Sequence, residues 1–282
     1  MADISFELRG PGTPLPTLLA ELWRARNVLW ALARKDFYAR YRRTMLGMAW
    51  AVGLPLVQAG VLAVVFTHIV RFASTLHHTP NGAALRYPVF LYAAITAWNF
   101  FSTNMPVAAT AIVDNGALAR KIYFPRAIFP LLAVASGIYP LLISGGILLV
   151  LTLALQHSVT IDFLWIIPGG LLAVLITAGF GLLLSALHVY FRDIRFIVQA
   201  VMSVLFYVSP IIYAVESAPG ALRNLVGAGP MSGPIELMRL AVGGADSDWP
   251  TVVAGGIGWF VVTTALGFWL QSRHDRVFVD LM

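Results

Sequence analysis

Six long stretches of this chain contain no Asp, Glu, Lys or Arg, and they limit its possible folds more than any other feature. Each is at least 20 residues long, and a helix needs about 20 apolar residues to cross a bilayer. The stretches cover residues 44–70, 87–113, 127–161, 163–191, 196–215 and 249–272. Because these runs are continuously apolar and do not alternate, they predict an all-α membrane protein with six transmembrane helices rather than a barrel.

The charged residues support a membrane protein and indicate its orientation. Only 11% of the 282 residues are charged, whereas soluble domains carry about a quarter. An even number of spans puts both termini on one side, and 15 of the 19 Lys and Arg residues fall on that side. Both termini are therefore expected to be cytoplasmic. The net charge of +6 indicates this topology and contact with anionic lipid headgroups, not nucleic-acid binding.

The chain divides into three parts. Residues 1–45 form a polar, basic N-terminal segment without the early apolar core of a signal peptide. Within it, Leu18 to Tyr41 predicts one amphipathic helix lying in the membrane interface; a basic tail without further role is the alternative. Residues 46–272 form the transmembrane domain, and residues 273–282 form a cytoplasmic tail. The apolar face of the N-terminal helix would contain Leu18, Leu22, Ala25, Leu29, Leu32 and Ala33.

Residues 216–248 differ from the spans because their two apolar pieces are each too short to cross a bilayer. Gly and Pro residues separate the pieces, which predicts two short re-entrant or interfacial outer helices, at about 217–245, between spans five and six. Glu236 and Arg239 are three apart, close enough to pair on one helical face. Met231, Glu236 and Arg239 are therefore candidates for an outer gate; a passive hairpin that holds two spans apart is the alternative.

Small residues recur at every fourth position in the fourth span. They are Ala173, Thr177, Gly181 and Ser185. This spacing lets helix backbones approach closely, and packing within the chain is favoured over dimerisation.

The sequence lacks the motifs of several enzyme classes. A phosphate-binding loop needs Gly-Lys followed by Ser or Thr, but an arginine precedes both lysines, Lys35 and Lys121. There is also no HExxH pair and no GxSxG motif. The chain is expected to have no catalytic, cofactor or metal site, so it either takes energy from a partner or acts passively.

A short basic segment at about 114–124 is the one sizeable cytoplasmic loop between spans. Asp114 is a candidate N-cap, and the helix would end before Pro125. Its basic residues would lie at the C-terminal end, where they suit the helix dipole.

Four segments together resemble the membrane subunit of bacterial ABC-type polysaccharide and polyol-phosphate exporters. They are "ARYRRTMLGMAWAVGLPL", "ARKIYFPRAIFP", "VYFRDIRFIVQ" and "FYVSPIIY", and the likeness extends from about residue 33 to the end. One departure is Gly229-Pro230, where the family usually has Asn-Pro. The tail "HDRVFVDLM" looks most like the O-antigen branch, while capsule and teichoic acid exporters stay open.

The resemblance implies a homodimer in the bacterial inner membrane, with two copies of a separate ABC ATPase that binds ATP and Mg. It implies a lipid-linked glycan as substrate, exported through a pore between the two membrane subunits. The segment at 114–124 would be the coupling helix that docks on the ATPase. Its coupling residues would be Asp114, Ala117, Leu118, Arg120, Lys121 and Ile122.

Further site candidates follow from a glycan substrate. Aromatic rings can stack on the faces of sugars, so aromatic residues in spans two and five are candidates for lining the channel. Packing between helices or contact with lipid is the alternative role. The candidates are Trp98, Phe100, Phe101, Phe206, Tyr207 and Tyr213. Three basic residues at the cytoplasmic entrance could meet the phosphates of the anchor, with simple topology signals as the alternative; they are Arg40, Arg42 and Arg43. The resemblance also suggests that Arg192 and Asp193 form a structural clamp near the cytoplasmic gate, with a solvated turn as the alternative.

Two other functions stay open. One is an ABC-type exporter of drugs or small lipids with a similar membrane fold. The other is an intramembrane enzyme of lipid-linked sugars, which would need clustered carboxylates where this chain has scattered ones.

Overall fold

The computed structural model describes residues 15–42, 45, 47, 49–66, 86–116, 125–157, 159–244 and 248–274. Over these residues all regular structure is helical, as the sequence predicts. The α-helices are α1 (Leu15–Arg24), α2 (Arg26–Tyr41), α3 (Ala49–Val64), α4 (Tyr87–Asp114), α5 (Ile128–Gln156), α6 (Ile166–Tyr190), α7 (Ile194–Val208), α8 (Gly220–Gly227), α9 (Ser232–Leu240) and α10 (Trp249–His274). Short 3-10 turns occupy Ile161–Trp165 and Val215–Ser217.

Each of the six charge-free runs overlaps one helix of 15 residues or more; these helices are α3, α4, α5, α6, α7 and α10. Three stretches within the described residues are long and apolar enough to cross a membrane: Ile128–Gln156, Ile161–Tyr190 and Trp249–Arg273. Helices α3 and α7 are apolar but only 16 and 15 residues long. Helix α4 has 28 residues but is less apolar than these three stretches. The full set of six spans therefore stays a prediction.

Helix α4 lies at the centre of the protein and packs against both α5 and α6, while α10 covers another side of α6. Twenty of the 28 residues of α4 are buried. Two of its buried polar side chains bond within the helix: Thr96 donates to the Tyr92 carbonyl at 2.8 Å, and Asn104 donates to the Phe100 carbonyl at 2.7 Å. The helix can therefore be buried without leaving these donors unpaired.

The small residues of α6 pack within the chain, as expected. Ala173, Thr177 and Ser185 are completely buried. A Cβ atom added to Gly181 would lie only 2.9 Å from the Cβ atom of Ala108 on α4. The spacing of small residues thus brings α6 close to α4.

The N-terminal amphipathic region is two helices, which corrects the prediction of one continuous helix. The Arg26 guanidinium donates to the Trp23 carbonyl at 3.0 Å and lies 4.7 Å from the Trp23 ring. The Arg26 side chain thus binds the Trp23 carbonyl, which in a continuous helix would accept a hydrogen bond from a backbone N–H group. The expected apolar face packs on the helices of this chain, because Leu22, Ala25 and Leu29 contact Ala111, Ile128 and Phe129.

Close contact between α6 and α10 leads to a prediction. A Cβ atom on Gly267 would lie 2.8 Å from the Leu182 Cβ atom and 2.9 Å from the Leu183 backbone nitrogen. Gly267→Val should destabilise the protein by about 1–3 kcal/mol, as overpacking does. Gly258→Val on the same helix is the control, because its added atoms meet open space. Melting temperatures of the detergent-purified variants test this, and equal values for the two would contradict it.

Candidate functional site

Helix α7 ends abruptly at Ser209, and the chain continues as a segment without regular structure up to Ala214. Proline disfavours a helical conformation in the residue before it. Ser209, which precedes Pro210, is accordingly extended, with φ −72° and ψ 145°. The carbonyl groups of this 209–214 segment cannot all be paired within a helix and need other donors.

Side chains from two other helices supply those donors. The Arg239 Nη2 atom of α9 lies within hydrogen-bond distance of the carbonyl oxygens of Pro210 at 2.6 Å, Ile211 at 3.2 Å and Tyr213 at 3.1 Å. The Tyr87 hydroxyl at the start of α4 donates to the Ile212 carbonyl at 3.0 Å. Four successive carbonyls are thus bound by side chains that lie far away in the sequence.

The last turn of α7 is capped from within the same segment. The Tyr213 hydroxyl lies 2.9 Å from the Val208 carbonyl oxygen and 3.2 Å from that of Tyr207. Carbonyls at a helix C-terminus have no intrahelical partner. Tyr213, one of the predicted channel aromatics, therefore has a structural contact at the end of α7.

The charge of Arg239 is balanced inside the protein. Its Nη1 atom donates to Glu236 Oε1 at 2.9 Å, and both side chains are 0% exposed. The guanidinium also lies over the Phe90 ring, 3.8 Å from its centre, in a cation–π contact. Tyr87, Phe90, Glu236, Arg239 and the 209–214 segment are called the Arg239 cluster below. The pairing of Glu236 with Arg239 that their spacing predicts is present.

The two short helices predicted in residues 216–248 are α8 and α9, and their connection contains Gly229 and Pro230. Met231 follows this turn and is completely buried. The Ser232 hydroxyl donates to the Val226 carbonyl at 2.5 Å, which closes the turn. All three predicted gate residues are therefore enclosed within the protein.

At the opposite end of α4, Asp114 joins α4 to α7. Its Oδ1 atom accepts a hydrogen bond from Arg195 Nη2 at 2.7 Å, and its Oδ2 atom accepts one from the Thr110 hydroxyl at 2.6 Å. Asp114 is the last residue of α4. The other predicted coupling residues, Ala117, Leu118, Arg120, Lys121 and Ile122, lie outside the described residues.

The turn between α6 and α7 contains Arg192 and Asp193, which were predicted to form a clamp. Both are exposed, and Asp193 occupies the N-cap position of α7 without a side-chain capping bond. The contact between helices is made instead by Arg195, two residues further on.

The predicted entrance arginines lie near the N-terminal helices. Arg40 bonds to Asp36 at 2.9 Å and to the Ser136 hydroxyl of α5 at 3.2 Å, so it links α2 to α5. Arg42 is exposed, and Arg43 lies outside the described residues.

Most of the predicted channel aromatics are packed between helices. Trp98, Phe100 and Phe101 on α4 are each at most 5% exposed. The Trp98 ring lies 5.7 Å from Phe206 on α7, and the Phe101 ring lies 6.2 Å from Phe180 on α6. Tyr207 differs, because it is 73% exposed.

An apolar groove of about 440 Å³ lies beside the 209–214 segment. Phe66 beyond α3, Tyr207 on α7, and Leu222 and Leu225 on α8 contribute to its lining. The groove means that α8 is not tightly packed against the end of α7. In the part of the chain that the structure describes, no group of three or more Asp, Glu or His side chains is placed to hold a metal ion.

Comparison with known proteins identifies the family. The family model for ABC-2 type transporters matches residues 27–242, which is more than half of the chain. The chain belongs to the ABC-2 type transporter family. A Myxococcus xanthus protein named O-antigen export system permease protein RfbA is 28% identical over 200 residues, covering 71% of this chain and 73% of that protein. Two Klebsiella pneumoniae proteins of the same name are 26% and 24% identical, each covering 74% of this chain and 77% of the relative.

The family confirms the resemblance that the sequence motifs indicated. This ABC-2 type transporter chain is the transmembrane subunit of an ABC exporter, and its family pairs with an ABC ATPase. Sequence reasoning missed Tyr87, Phe90 and Arg195 as contact residues. Their position in the sequence was the one available signal: Tyr87 is the first residue of one charge-free run, and Arg195 directly precedes another.

The Arg239 cluster leads to a prediction about stability. Arg239→Met keeps much of the side-chain volume but leaves Glu236 and several carbonyls without this partner. The loss should be about 3–5 kcal/mol, as for other broken buried ion pairs. Arg223→Met is the control, because the Arg223–Asp248 pair is exposed and such pairs contribute about 1 kcal/mol or less. Thermal unfolding measures both, and an equal effect of the two substitutions would contradict the structural role of Arg239.

Proposed function

We propose that this chain exports a lipid-linked polysaccharide of the O-antigen type across the bacterial inner membrane. The observation that carries the proposal is that relatives matched over more than 70% of this chain are named O-antigen export permeases. Family membership supports the transport class, and the absence of a phosphate-binding loop from the sequence supports an external source of energy. Teichoic acid, capsule, drug and small-lipid substrates are the alternatives to be tested.

The proposed topology has six spans, with both termini in the cytoplasm. The three helical stretches that meet the length and composition of a span support it, as does the presence of one helix in each charge-free run. In this topology α1 and α2 lie at the cytoplasmic face, and α8 and α9 lie at the outer face. The excess of Lys and Arg on the side of the termini supports the orientation.

The proposed complex contains two copies of this chain and two copies of an ABC ATPase. Residues 114–124 would dock on the ATPase, since this basic segment directly follows the central helix α4. The glycan would pass between the two membrane subunits, with Tyr207 among the aromatics open to it because that ring is exposed in the single chain.

The Arg239 cluster is proposed to keep the outer end of the pore closed in the idle complex. The complete burial of Glu236 and Arg239 supports this, because opening would separate or expose a dry ion pair. Helix α8 beside the apolar groove is the part with room to move. In the proposed arrangement α9 is therefore the fixed part of the outer segment and α8 the adjustable part.

The substrate can be tested by purifying the chain with a hydrolysis-deficient partner ATPase and analysing bound lipids by mass spectrometry. We expect a lipid anchor that carries repeating sugar units. A polymer of polyol phosphate would assign the chain to teichoic acid export. Recovery of phospholipids alone, with no loss of surface polysaccharide when the gene is deleted, would overturn the proposal.

Docking on the ATPase can be tested by replacing Ala117, Leu118 and Ile122 with Asp. Carboxylates that are desolvated in an apolar contact without partners are costly, so ATP hydrolysis in the complex should fall to that of the isolated ATPase. The variant should still insert in the membrane. Ile161→Asp is the control, since Ile161 is a 79% exposed apolar residue in the connection between α5 and α6. Unchanged transport by the triple variant would exclude docking at this segment.

A further inference from the structure

Asp114 uses both of its carboxylate oxygens to join two helices. One oxygen binds Arg195 of α7 at 2.7 Å, and the other binds the Thr110 hydroxyl of α4 at 2.6 Å. The Thr110 contact fixes the carboxylate on its own helix, because Thr110 lies one turn earlier. The ion pair is therefore a defined link between the end of α4 and the start of α7, 81 residues apart in the sequence.

The position of Arg195 is unfavourable for α7 considered alone. Arg195 is the second residue of this helix, and the N-terminus of a helix carries partial positive charge that disfavours a cation. Asp193 at the N-cap does not offset this with a side-chain capping bond. Asp114 from α4 supplies the negative charge, so the placement of Arg195 favours the contact between helices over the local stability of α7.

Helix α7 is attached to α4 at two further levels. Near its C-terminal end, the Phe206 ring meets Trp98 edge to face. Beyond its C-terminus, the 209–214 segment is held by Tyr87 of α4 and by Arg239. Other residues of α7 are exposed, namely Phe196, Ile197, Val201, Val204 and Tyr207. Helix α7 is thus joined to α4 by an ion pair at its start and by further contacts at its C-terminal end, while much of its remaining surface is open.

We infer that the Asp114–Arg195 ion pair transmits movement of α4 at its Asp114 end to α7, which makes Arg195 a positioning residue for ATP-driven export. This inference rests on the proposed function, because it takes the ATPase to dock on the residues that follow Asp114. A displacement of the docked segment then acts on α4 first. With the pair intact, the start of α7 moves with α4; without the pair, the start loses its polar link to α4, and the contacts of Phe206 and the 209–214 segment hold only the C-terminal end in register with α4.

The exposure of the pair makes transmission separable from folding. Each side chain is 47% exposed, and exposed ion pairs contribute little to stability. Removing the charge of Arg195, which lies outside the docking segment, should therefore leave the melting temperature and assembly with the ATPase unchanged. A purely structural role would affect stability and export together.

The test compares Asp114→Asn, Arg195→Gln and the exchanged variant Asp114→Arg/Arg195→Asp in the complex with the ATPase. Each single variant should reduce ATP-driven export about fivefold or more, the lower end of usual coupling between sites. The exchanged variant should restore most of the export, since both new charges also suit their helix ends. Asp36→Asn is the matched control, because it removes a half-exposed carboxylate from an ion pair within one helix; its export should equal that of the wild type.

A second measurement follows α7 directly. The chain has no cysteine, so Val204→Cys, at a 62% exposed position of α7, provides one labelling site. Its rate of reaction with maleimide should change when the complex is trapped with ATP and vanadate, and Asp114→Asn should remove that change. Single variants with wild-type export and labelling, or an exchanged variant no better than the singles, would overturn the inference. An intact labelling response without glycan export would instead count against the proposed substrate.

Discussion

The hydrogen bonds from Arg239 to the carbonyls of the 209–214 segment are the interaction on which the arrangement of α4, α7 and α9 depends. Pro210 ends α7 and leaves peptide groups in an apolar interior without a helical partner. Unpaired backbone groups are costly there, so a buried donor with several N–H groups is required. A guanidinium meets this need because the two N–H groups of Nη2 can be shared among the three carbonyl oxygens while Nη1 binds Glu236. Its own charge then requires Glu236 and the face of Phe90, and these contacts fix α9 and α4 around the segment.

The two ends of α4 carry contacts of opposite physical character. At one end the Arg239 cluster is dry, and separating its charges would be expensive. At the other end the Asp114–Arg195 pair is half exposed, so water competes for it and its contribution to stability is small. The 28 residues of α4 place these ends about 42 Å apart, at 1.5 Å per residue. One end is therefore suited to hold a fixed geometry, and the other to link two helices without contributing much to stability.

The sequence predicted features that depend on local pattern and missed those that depend on distant pairing. Charge-free runs located the long helices because apolar length is a property of each segment alone. The spacing of Glu236 and Arg239 predicted their pairing because i,i+3 neighbours share a helical face. Nothing local linked Asp114 to Arg195, or Arg239 to Phe90, since these partners are separated by 81 residues or more. From the sequence, Trp98 and Tyr207 were equally good candidates for channel aromatics. In the structure Trp98 is buried and Tyr207 is exposed, and only the packing of α4 against α7 distinguishes them. The prediction of a continuous N-terminal helix was wrong for a different, local reason: the apolar pattern continues through Ala25, but the Arg26 side chain binds the Trp23 carbonyl where the helix is interrupted.

The placement of charge also bears on how the proposed exporter would use energy. The three stretches that could cross a membrane contain only two Asp, Glu, Lys or Arg residues, Asp162 and Arg273, and each lies at one end of its stretch. These stretches therefore provide few groups that could couple transport to an ion gradient. Energy supplied by an ATPase would have to be transmitted to the transport pathway through movements of the helices. A helix held by close packing on several sides resists such movement, as α4 and α6 do where Gly181 meets Ala108. Helix α7 is different: it is short, exposed over much of its surface, and attached to α4 at separate points. Movement of α7 with the Asp114 end of α4, while the part of α4 that packs on α6 near Gly181 stays in place, is therefore the conformational change that breaks the fewest packed contacts.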